Sequence, residues 1–137
     1  MSRLSRPALG ALVACALLAG VGAWAQAPQA PKPQYLPFAE FVASDTTAQV
    51  SAKQGYNDAV ERYNKGLYDY HVTLGQHDQL VDAYNKGGTP ADQEKARAEA
   101  AALRAKLETL RRDVTAMAGA VDQARRKAIQ AGVTLTR

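Results

Sequence analysis

The chain is poor in the residues that metal and redox chemistry use. It has one cysteine, Cys15, and two histidines, His71 and His77, among 137 residues. A single cysteine excludes an internal disulfide framework and any multi-cysteine zinc site. The histidines lie six positions apart, which on a helix leaves them about 120° from a shared face. They therefore cannot make the i, i+4 pair of a helical zinc site. No Gly-rich phosphate loop is present either, since Gly87-Gly88 leads into Thr89-Pro90 and not into Lys-Ser/Thr. No nucleophile elbow occurs, and the carboxylates are scattered along helix faces as solvated charges usually are. The length admits one domain and is too short for a (β/α)₈ barrel of about 250 residues. The expectation is a protein that is not an enzyme, with no cofactor, no metal and no small-molecule substrate.

Acidic residues are absent before Glu40, whereas Arg3 and Arg6 precede an apolar run from Pro7 to Ala25 that ends in Ala23-Trp24-Ala25. A basic start, an apolar stretch and a small-x-small end read as a secretory signal peptide over residues 1–25, with cleavage after Ala25. Two alternatives stay open. Leu12-Val13-Ala14-Cys15 resembles a lipobox, which would make a lipoprotein anchored through Cys15. The apolar run is also long enough for an uncleaved membrane anchor. On the favoured reading the mature chain has no cysteine, which suits an oxidising periplasmic or extracellular compartment. Cleavage also lowers the net charge from +4 to +2 by removing Arg3 and Arg6. The basic balance is then mostly a property of the leader, and nucleic acid is not an expected partner.

Residues 26–44 hold four prolines, at 28, 31, 33 and 37, and read as a semi-rigid spacer ending in a short apolar segment. Beyond it the pattern is helical. Tyr56, Val60, Tyr63, Leu67, Tyr70, Leu74, His77, Val81 and Tyr84 repeat a 4-3 spacing, and so do the positions from Ala96 through Leu103, Leu107, Leu110, Val114 and Val121 to Ala131. Gly87-Gly88 breaks the first run, while Thr89 caps and Pro90 opens the second. The chain is therefore expected to be all-α, an antiparallel two-helix coiled-coil hairpin over 45–131, with helices of about 45–86 and 90–131 and a tail at 132–137. Pairing positions whose numbers sum to 177 stacks six apolar layers, from Tyr56 on Val121 to Leu74 on Leu103. Phe38, Phe41 and Val42 are expected to fold onto the alanine face formed by Ala124 and Ala128. The sequence Val60–Gly66 recurs as Val81–Gly87. Gly66 could thus end a helix as Gly87 does, but unbroken heptad phase across it favours one continuous helix.

The candidate interaction residues are basic: Arg111, Arg112, Arg125, Arg126, Lys127, and Lys86 beside the tip. They read either as a solvated coiled-coil face or as a contact for lipid headgroups, an envelope polymer or an acidic protein. His77, in the seam, is a candidate pH-sensitive position because protonation inside a packed layer is unfavourable. In outline, an exported heptad hairpin is similar to the periplasmic tentacle chaperones and to hairpins of envelope export machinery. That resemblance implies two functions: a structural or adaptor module of the cell envelope, or a holdase-type chaperone for exported polypeptides. The expected partners are proteins, or further copies of the chain, joined through coiled-coil surfaces, with contact to a membrane surface left open.

Overall fold

The computed structural model describes residues 22–28 and 34–135. The body of the leader, Cys15, and Pro31 and Pro33 of the spacer lie outside the described residues. Two long helices, α1 (Thr47–Lys86) and α2 (Pro90–Gln130), pack against each other as an antiparallel hairpin, with no strand among the described residues. Both ends of each helix are set by local chemistry. Thr46 caps α1 and Thr89 caps α2, each in a reciprocal box with the residue three positions on, Gln49 and Asp92. Gly87 and Gly88 take positive φ at the turn, where a side chain would strain the backbone. At the far end of α2, Val133 N–H bonds Ala128 O and Gly132 N–H bonds Ile129 O, a Schellman ending around Gly132 at φ 80°. That ending turns Val133 back into the core, where it is buried.

α1 runs straight through Gly66, as its heptad phase implies. A Cβ there would lie 2.9 Å from Met117 Sδ and 3.4 Å from Val114 Cγ2, so the missing side chain lets α2 come close. Gln49 Nε2 donates to Gly132 O, and Gly66 faces Val114 and Met117, pairs whose numbers sum to 180–183, while Tyr56 and Val121 of an expected layer share one core cluster with Val60.

A third element packs on the hairpin. The described part of the spacer does not extend away from the hairpin. Residues 34–46 form an extended strap that runs antiparallel to α1 and turns into it at Asp45. Leu36 and Ala39 pack on the cluster of Tyr56, Val60 and Val121, together with Ala124 and Leu135 from α2 and the tail. The fold-back was expected, but with other residues. Phe38, Phe41 and Val42 are each more than half exposed and do not cover the alanines. The main-chain contacts of Leu36 and Ala39 with α1 turn those two residues inward and leave the rings outside.

Candidate functional site

The strap is held by its main chain. Asn64 Oδ1 accepts from Leu36 N–H at 2.8 Å while Asn64 Nδ2 donates to Leu36 O at 2.9 Å. Asn57 does the same to Ala39, at 2.7 and 3.0 Å. Each carboxamide thus pairs with both backbone groups of one residue, as a neighbouring β-strand would. The repeat lengths match. Asn57 and Asn64 are one heptad apart, about 10.5 Å along a helix, and Leu36 and Ala39 are three extended residues apart, about 9–10 Å.

Other side chains of α1 continue this grip. Tyr56 Oη donates to Pro37 O at 3.5 Å, a long contact, and Tyr70 Oη donates to Pro28 O at 2.7 Å. Burial raises the Tyr70 hydroxyl above its ordinary range, which keeps it a neutral donor. His77 is fully buried with Nε2 2.9 Å from Trp24 O and Nδ1 3.3 Å from Asp78 Oδ1. Trp24 packs edge-on against Tyr84 with centroids 4.8 Å apart, and Arg104 Nε of α2 donates to Gln26 O. Tyr56, Tyr70 and His77 were expected to face α2 across the seam. The tyrosine hydroxyls instead serve the extended segments, and His77 serves the single 3-10 turn Ala23–Ala25, which explains how tyrosines can occupy a heptad core.

The strap is pinned where it turns into α1. Lys53 Nζ donates to both carboxylate oxygens of Asp45 at 2.7 Å, and the two side chains are only 8% and 6% exposed. This hydrogen bond, then that from Val42 N–H, holds the Asp45 carboxyl below the usual carboxylate range. Beside the pair a cleft of about 470 Å³ opens between Phe38, Val42, Tyr56, Val133 and Leu135.

The basic candidates do not gather at this site. Arg111 lies 3.4 Å from Glu108 Oε2, and Arg112 Nε donates to Glu108 O. Arg126, Lys127 and Lys86 are exposed and Arg125 is half-buried, with Lys86 ending α1 at the tip. Among the described residues no group of three His, Cys, Asp or Glu could hold a metal ion, and no helix is long and apolar enough to cross a membrane. Sequence reasoning passed over Asn57 and Asn64. The available signal was a row of one heptad position reading Asn57, Asn64, His71, Asp78 and Asn85, poor helix formers with no apolar role. Comparison of the chain with family models, curated proteins and solved structures finds no match.

Proposed function

We propose that this protein is an exported, non-catalytic polypeptide-binding module of the bacterial cell envelope, acting as a structural or adaptor coiled coil. The observation that supports the reading is the grip of Asn57 and Asn64 on the main chain of the strap, an extended segment. The strap's outer row of Tyr35, Phe38 and Phe41 adds exposed apolar surface of the kind that protein partners cover. Export rests on the Arg3–Ala25 pattern and predicts a mature chain that begins at Gln26. Because Trp24 is the sole tryptophan, cleavage after Ala25 removes its contacts with His77 and Tyr84 and leaves a protein without tryptophan fluorescence. An intact mass with Trp24 retained would contradict it.

A holdase-type chaperone is the second reading, favoured by the fact that the clasps touch only main-chain atoms and so carry no side-chain code. A photocrosslinking residue placed at Lys86 or at Phe38, in the native host, separates the two. One dominant, stoichiometric partner supports the adaptor, and a broad ladder of exported proteins supports the holdase. No capture from either position contradicts a polypeptide-binding role.

A further inference from the structure

We infer that the Asn57–Asn64 face of α1 is a seat for extended polypeptide supplied in trans, with residues 34–41 as its resident occupant. The inference rests on the polypeptide-binding reading above and names the chemistry by which a partner is recognised. The ligand class is an extended peptide segment that places small or aliphatic side chains inward at two positions three residues apart. At those positions its N–H and C=O groups enter the two carboxamides.

Three features argue for an exchangeable occupant. First, every hydrogen bond that the two asparagines make to the strap goes to a backbone atom, so any chain of the same shape satisfies them equally. Second, the strap is poorly anchored by burial. Its largest apolar groups, Tyr35, Phe38, Phe41 and Val42, are 52–54% exposed, while only Leu36 and Ala39 pack on the core cluster. Third, the heptad row of Asn57 and Asn64 continues past the clasps to His71, whose Nε2 is buried and without a hydrogen-bond partner among the described residues.

The strap competes from within the same chain at the high effective concentration of a tethered segment, so the test weakens it first. Replacing Leu36→Pro and Ala39→Pro in the full chain deletes both N–H donors and leaves the seat's own residues intact. A fluorescein-labelled peptide spanning Gln34–Val42 is titrated into this variant by anisotropy, with helix content checked by circular dichroism. Saturable binding is expected, and N-methylation at the residue equivalent to Leu36 or to Ala39 should weaken it about tenfold. N-methylation at the Phe38 equivalent should leave binding within about threefold, because that amide meets neither clasp. Asn57→Ala with Asn64→Ala in the same background should match the N-methyl loss. The wild-type chain with excess peptide supplies a second assay should the double-proline variant lose helix.

Binding that is indifferent to N-methylation overturns the clasp while leaving a polypeptide-binding role in place. Absence of binding in both assays, with helix content retained, overturns the seat in trans. A dimer of the wild-type chain that Asn57→Ala abolishes would make the occupant the strap of a second copy, and that too overturns the proposal.

Discussion

The two ends of the hairpin are built differently. Toward the tip the helices meet the short turn Ala23–Ala25, whose Trp24 packs on Tyr84 and offers its carbonyl to His77, and Leu67, Tyr70, Thr73 and His77 of α1 are buried there with Ala96, Ala100 and Leu107 of α2. Toward the open end four pieces meet: α1, α2, the strap and the tail after Gly132. There Tyr56, Val60 and Val121 are enclosed by Leu36, Ala39, Tyr63 and Leu135. A bare helix pair is thin, and each helix can cover only a stripe of the other. The open end resolves this by adding an extended segment, and the alanines of α2 leave the space that segment fills. The strap thus covers the half where the two-helix seam turns polar, at Lys53 and Gln49.

That contrast can be broken by mutation. The largest effect is expected for Leu67→Ala, which removes a fully buried side chain and should cost about 2–5 kcal/mol in denaturant unfolding. Ala100→Gly, at the tip, should cost only about 1 kcal/mol, mostly through helix propensity. If the tip variant proves the more damaging, the mid-hairpin layer around Leu67 is not the core that its burial implies. Asn57→Ala with Asn64→Ala comes next, at about 1–3 kcal/mol for four lost hydrogen bonds that water partly replaces once the strap lifts. Its mark is selective: protease cutting within residues 34–44 while α1 and α2 keep their helical signal. Thr89→Ala, which loses the cap at the tip, should cost about 1 kcal/mol and leave the strap protected.

Acid should act on the strap end first. Asp45 has its carboxyl lowered by Lys53 in the folded state, so its stabilising contribution is full above the ordinary carboxylate pKa of about 4. The contribution is lost as pH falls from there through the depressed folded value, and proteolysis of the strap should rise over that window. Asp45→Asn should remove the pH dependence, and an unchanged acid profile in that variant would reject the assignment.

The heptad seams, the paired glycines and Thr89-Pro90 made the helices legible in sequence, to within two residues at each end. Gly66 was also read correctly, because a helix break would have shifted the phase of Leu67 and Tyr70. What was not legible has one physical origin. Heptad reasoning assumes that core positions meet the partner helix, whereas Tyr56, Tyr70 and His77 turn their polar atoms to main-chain carbonyls of Pro37, Pro28 and Trp24, which lie before α1. Backbone recognition leaves no complementary side-chain pattern in the strap, so the roles of Asn57 and Asn64 could not be read from apolar spacing. The choice of Leu36 and Ala39 over Phe38 and Phe41 follows from the same cause, since the clasps fix which residues of the strap point inward.

The most direct test of a main-chain grip is amide hydrogen exchange at Leu36 and Ala39, compared with Phe38 in the same strap. The N–H groups of Leu36 and Ala39 donate to Asn64 and Asn57, so both should exchange slowly in the wild-type chain. They should become as fast as Phe38 when the two asparagines are replaced by alanine, with the amides of α1 unaffected. Fast exchange at Leu36 and Ala39 in the wild-type chain, equal to that of Phe38, would show that the hairpin does not hold its strap by the backbone.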